Sequence, residues 1–167
     1  MKLTTQILAQ KLKKYDIRVS PVKGKSNFIK GKLVGSLVKS KELLEDFFDD
    51  IFNAEIKNLK GNNYAFEVEL GNHKLLVILL KEGRTVDFTM ELGVNRGDQS
   101  FQYMLLNRLQ RDCEYAINNN TLSRIWGQTL ESHIKKMKEL YKILSFKPHW
   151  LSWEEIIQYE EDLLDID

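Results

Sequence analysis

The chain holds few of the residues from which covalent or metal chemistry is built. Among 167 residues there is a single cysteine, Cys113, which excludes an internal disulfide and fits a reducing cytosol. The three histidines, His73, His133 and His149, stand far apart. None has a second His or a Cys at metal-ligand spacing, so no metal and no cofactor is expected. Two prolines and nine glycines leave little room for a flexible linker. The stretch KGKSNFIKGK has lysines and turns but lacks the GxxxxGK[ST] spacing of a phosphate loop, so ATP hydrolysis is not expected. The longest apolar run, Leu75 to Leu80, is about a third of a membrane-spanning helix. The start, MKLTTQILAQ, has neither the apolar core nor the small-residue site of a signal peptide. A soluble, cytoplasmic protein is the expectation.

What the chain does have is charge sorted by position. The first 41 residues carry eleven Lys or Arg and one carboxylate, Asp16, while Glu154 to Asp167 carry seven carboxylates and no basic residue. The formal net charge of +1 hides both ends. With 43% hydrophobic and 29% charged residues, the composition is globular. The length suits one well-filled core or two small units.

Periodicity divides the chain. Thr4 or Thr5 is placed to cap a short helix through Leu12. Ile17, Val19 and Phe28 to Leu33 read as short strands broken by Pro21, Gly24 and Gly31. Ser40 reads as the N-cap of a helix burying Leu43, Leu44, Phe47, Phe48, Ile51 and Phe52. Four strands follow, Ala54 to Leu59, Tyr64 to Leu70, Lys74 to Leu80 and Thr85 to Leu92. Their connectors, KGNN, GNH and KEGR, suit hairpins. Tyr64, Phe66, Val68 and Leu70 alternate with Ala65, Glu67 and Glu69, as Val86, Phe88, Met90 and Leu92 do with Asp87, Thr89 and Glu91, giving one dry face and one wet face.

From Gly97 the period becomes helical. Phe101, Leu105, Leu109, Cys113, Ala116 and Ile117 mark one helix, and Ile134, Met137, Leu140, Tyr141 and Leu144 a second beginning near Thr129. Ser152 and Glu155 form a capping box for a third, with Ile156, Ile157 and Leu163 inward. The expected fold is α+β: a four-stranded antiparallel meander with a covering helix, then a C-terminal three-helix unit. The expected domains are 1–95 and 98–167.

The candidate partner-binding residues are the charged ones. Lys11, Lys13, Lys14, Arg18, Lys23, Lys25, Lys30 and Lys32 either neutralise phosphates, dock on an acidic protein surface, or form a solvated face. Lys outnumbers Arg ten to one in that region, and Arg is the better reader of base edges. Glu160, Glu161 and Asp162 either compete with nucleic acid for a basic channel or keep the chain soluble. Glu154 and Glu155 are explained by the helix dipole alone. Asp87 and Glu91, with Glu67 and Glu69 on the wet side of the sheet, resemble a metal-dependent nuclease only loosely. Cys113 lies on an apolar stripe and reads as a buried, inert thiol. Trp126, Trp150 and Trp153 serve either to lock the last helix or to anchor an interface.

The segments LLNRLQRDCEYAI, Trp126-Gly127, HIKKMKELYKIL and KPHWLSWEEIIQYEEDL occur in an order that resembles the large polyvalent protein-associated domains of phages and mobile elements. The resemblance runs from Met104 to Leu164. Asn118-Asn119-Asn120 stands where that pattern usually carries Gly-rich turns, a tolerable departure because Asn also accepts turn dihedrals. No catalytic residue is carried over. The resemblance implies a small anti-CRISPR protein, one that inhibits a host defence nuclease, Cas9 first among them, by stoichiometric binding rather than as an enzyme. A basic DNA- or RNA-binding accessory protein of the element is the alternative reading, and a small metal-dependent nuclease a third. No membrane partner is expected, and the oligomeric state stays open.

Overall fold

The computed structural model describes residues 2–127 and 129–166. The chain divides into two compact units, Met1–Asn95 and Arg96–Asp167.

The first unit runs α1 (Thr5–Lys13), β1 (Val19–Val22), β2 (Lys25–Val34), α2 (Leu37–Phe52), β3 (Glu55–Asn58), β4 (Ala65–Leu70), β5 (His73–Glu82) and β6 (Thr85–Val94). The strands form one antiparallel sheet in the order β1-β2-β6-β5-β4-β3. The expected meander is present as β3 to β6, and the α+β class holds, but among the described residues the sheet has six strands, not four. The β1–β2 hairpin joins it by pairing β2 with β6, from Phe28↔Glu91 to Val34↔Thr85. Gly31 does not break β2 as expected; it lies inside the strand opposite Phe88. A Cβ there would overlap the Phe88 ring and stand 2.8 Å from the Arg18 carbonyl. Glycine is present because a neighbouring ring fills its space, not because the chain turns. Pro21 likewise lies inside β1, beside a shift in register. The β1 pairing stops at Val19↔Gly31, leaving Lys32, Leu33 and Val34 unpaired on that side of β2.

The helix α2 is capped by Ser36, whose hydroxyl accepts from the Lys39 amide at 3.2 Å. The expected cap, Ser40, is instead buried within the helix. The early start adds one turn, and Leu43 and Ile51 face solvent while Leu44, Phe47 and Phe48 turn inward. Those three meet Leu8 and Leu12 of α1 and the dry face of the sheet, including Phe66, Val68, Val77, Phe88 and Met90. Phe47 and Phe48 pack edge-on at 5.0 Å, and Phe48 meets Phe66 edge-on at 6.3 Å, an edge-to-face geometry that aromatic quadrupoles favour. His73, expected in a turn, opens β5 opposite Leu70.

Among the described residues the second unit holds three helices, α3 (Ser100–Asn119), α4 (Leu130–Ile143) and α5 (Trp153–Leu164). Thr129 caps α4, and the Ser152–Glu155 capping box opens α5 as expected. Leu106, Leu109, Cys113 and Ala116 of α3 pack with Ile134, Met137 and Leu140 of α4 and Ile156 and Leu163 of α5. Phe101, expected inward, is 65% exposed. The buried stripe of α3 runs instead through Leu106 and Gln110, whose amide donates to the Trp150 carbonyl at 3.1 Å and to the Tyr159 hydroxyl at 3.3 Å. Trp153 packs on Tyr141 at 5.8 Å rather than on another tryptophan. No helix among the described residues is long and apolar enough to cross a membrane.

Candidate functional site

The β-sheet register sorts the N-terminal lysines. Ile29 and Leu33 of β2 join the packing of the core. Lys30 and Lys32 therefore project from the opposite face, since successive strand side chains alternate. Lys30 stands between Ser20 of β1 and Thr89 of β6, and Lys32 stands beside Asp87. Arg18 immediately precedes β1. The result is a cleft of about 490 Å³ lined by Arg18, Ser20, Lys30, Lys32, Asp87 and Thr89, with Gly31 and Phe88 also contributing. A second cleft, about 420 Å³, is lined by Lys13, Gln10 and Ile17 and shares Arg18 and Val19 with the first.

Among the described residues Asp87 is the sole carboxylate lining these two clefts. Its Oδ1 lies 3.8 Å from the Lys32 ammonium, at the limit of an ion pair, and is buried without a hydrogen-bond partner. It offsets one cation of four. The cleft therefore remains cationic, and its Ser20 and Thr89 hydroxyls add donors and acceptors that suit an oxyanion.

The other candidate cations lie elsewhere. Lys11 sits over the Phe52 ring at 5.7 Å and Lys25 over the Phe28 ring at 4.7 Å. Lys23 is in the β1–β2 turn, and Lys14 is the exposed C-cap of α1. Sequence reasoning chose all eight by density along the chain. It missed Ser20 and Thr89, which only strand parity and register could have revealed.

Two of the three candidate acidic residues of α5 are engaged within the helical unit. Glu160 pairs with Lys138 at 3.5 Å, and Asp162 accepts from the Gln158 amide at 2.8 Å. Glu161 is exposed. The sheet carboxylates are dispersed. Glu67 of β4 pairs with Lys74 at 3.4 Å. Glu91 of β6 is separated from Glu67 by Leu76 of β5, about 9.5 Å at two strand spacings. Asp87 and Glu91 lie four residues apart along β6, about 13 Å. Among the described residues no three His, Cys, Asp or Glu side chains are grouped to hold a metal ion.

In the helical unit, His133 is fully buried. Its Nδ1 accepts from the Trp126 amide at 2.7 Å, which leaves the proton on Nε2 to donate to the Leu109 carbonyl at 2.9 Å. Burial lowers its pKa, against smaller opposing effects of the Leu109 carbonyl and Asp112. The Cys113 thiol lies 3.6 Å from the Met137 sulfur, and burial, with Asp112 and Glu114 adding, pushes its pKa up to about 12. Such a thiol is a packing group, not a nucleophile.

Residues 99–163 match the family model described as large polyvalent protein-associated domain 11. The match covers α3, α4 and nearly all of α5. No curated protein and no solved structure gives a significant match to the chain.

Proposed function

We propose that this chain, whose helical unit matches a polyvalent-protein-associated domain, is an accessory protein of a phage or mobile element that binds nucleic acid along its cationic cleft. The observation that carries this reading is the convergence of Lys13, Arg18, Lys30 and Lys32 on two adjoining clefts opposed by Asp87 alone among the described residues. Three of the four cations are lysines, point charges that suit phosphates better than base edges. Binding is accordingly tolerant of sequence and strongly dependent on salt. If four phosphates are neutralised, the slope of log K against log salt is about −3.6 on duplex DNA. That corresponds to about a hundredfold loss of affinity between 50 and 200 mM salt. Titration of labelled oligonucleotides across that range tests the reading. Each of Lys30→Glu and Lys32→Glu is expected to flatten the slope by about one. Absence of binding at low salt, or binding unaffected by both reversals, would remove it.

A second reading is a protein that inhibits a host defence nuclease, Cas9 among them, by stoichiometric binding. It is favoured by the exposed carboxylates Glu154, Glu161 and Asp165 of the last helical segment, which suit a basic channel built for nucleic acid. It ranks second because Glu160 and Asp162 are already engaged within the unit. Addition of equimolar protein to the guide-loaded nuclease separates the two readings. Loss of cleavage that survives Lys30→Glu and Lys32→Glu but not Glu161→Lys would favour inhibition.

A further inference from the structure

The helical unit contains a pocket of about 230 Å³ lined by Leu105, Arg108, Leu109, Asp112, Arg124 and Trp126. One wall is α3, and the other is the segment between α3 and α4. Both are fixed by the same imidazole. His133 holds the Trp126 amide with Nδ1 and the Leu109 carbonyl with Nε2. Arg124 is steadied by its guanidinium over the Tyr115 ring at 3.8 Å. The pocket is thus preorganised, which lowers the ordering cost of any association there.

The surface beside it is apolar. Phe101 and Met104 lie one turn toward the N-terminus from Leu105 and Arg108, and residues at this spacing share one helix face. Phe101 is 65% exposed, Met104 64% and Trp126 45%. No core role explains these side chains. Phe, Met, Trp and Arg are the types enriched where protein interfaces are buried.

Volume and charge select the occupant. A space of 230 Å³ is smaller than the 300–1,000 Å³ usual for a whole small-molecule ligand, and suits one inserted side chain. Leu105 and Leu109 supply apolar lining for it. Arg108 and Arg124 stand at the same pocket, and the Lys136 ammonium is 6.0 Å from the Trp126 ring. Among the described residues Asp112 is the one carboxylate lining the pocket. Guanidinium forks match carboxylates in bidentate geometry. We infer that this pocket and the Phe101–Met104 strip receive an acidic protein segment bearing one large apolar anchor, which enters between Arg108 and Trp126. The pocket shares no lining residue with the cationic cleft of the sheet unit.

The probe is a set of fluorescein-labelled ten-residue Asp/Glu peptides with Leu, Ile, Met, Phe or Trp at the centre. A matching peptide has Ser there, and oligothymidine serves as a nucleic-acid control. Binding to the full chain is read by anisotropy, and its place by amide and indole NMR shifts. Anchored peptides are expected to bind and to shift the Trp126 indole and the Arg108 and Arg124 resonances, with the Ser peptide at least tenfold weaker. Trp126→Ala and Arg108→Glu are each expected to weaken binding at least tenfold with circular dichroism unchanged, whereas Lys57→Glu, outside both the pocket and the cleft, leaves it intact. The inference is overturned if no anchored peptide shifts the pocket resonances, or if the Ser peptide binds equally well. Displacement of peptide from the pocket by oligothymidine would assign the site to nucleic acid instead. Self-association abolished by Trp126→Ala would assign it to a second copy of the chain.

Discussion

His133 is a titratable side chain held neutral by its surroundings. In the unfolded chain an imidazole titrates near 6.5, and burial lowers that value in the fold. As the pH falls the unfolded state takes up the proton first, so this contribution to stability is complete above about 6.5 and declines below it. Protonation would also end the acceptance of the Trp126 amide by Nδ1. Denaturant midpoints of the helical unit's transition are expected to be lower at pH 5.5 than at pH 7.5, and His133→Leu is expected to abolish most of that difference. The same substitution leaves the Trp126 amide without its partner, at a cost of about 1–3 kcal/mol. An unchanged pH response in the variant would mean that another group governs it. Gly31 is constrained by a neighbour in a different way. Gly31→Ala must displace the Phe88 ring and crowd the Arg18 carbonyl. It is expected to cost about 1–3 kcal/mol in thermal or denaturant unfolding, the usual range for overpacking.

Among the elements, legibility in the sequence followed how strongly each local pattern depends on long-range pairing. Strands β4 and β6 alternate cleanly because one of their faces is dry, so period two alone identified them. β2 carries Lys at its outward positions and Gly at an inward one, and its partnership with β6 spans an intervening helix and three strands. No local signal connects the two. The same distinction explains the candidate site. Lys30 and Lys32 stand out in the sequence only as part of a lysine-dense stretch, but the register of β1, β2 and β6 brings them to one cleft with Arg18, which Lys13 of α1 adjoins. Capping gives an equally local test. Ser36→Ala removes the side-chain acceptor of the Lys39 amide and should cost about 1 kcal/mol, whereas Ser40→Ala leaves that cap in place. A larger loss from the Ser40 variant would argue that its buried hydroxyl, rather than the cap, governs α2. Ser40 has the side chain of a cap. It is not the cap because Leu37 already belongs to the helix.

For the molecule as a whole, a formal net charge of +1 provides little long-range attraction to a polyanion, so any binding must come from local arrangement. Two pairs of reversals separate these causes. Lys30→Glu with Lys32→Glu, and Lys57→Glu with Lys60→Glu, each take the net charge from +1 to −3, every reversal removing two charges. Only the first pair touches the cleft. The first pair is expected to elute from heparin at markedly lower salt than the second. Equal elution would mean that bulk charge, not the cleft, is being measured. The exposed end of β2 adds a separate consequence. Where β1 stops at Gly31, a row of backbone amides and carbonyls is left open to the strand of any passing chain, and Lys32 is the charge stationed there. Lysine at a free edge is a common defence against edge-to-edge stacking. The side chain that helps attract a polyanion thus also keeps the protein from polymerising. Replacing it with valine to study binding would risk fibres as well as lost affinity.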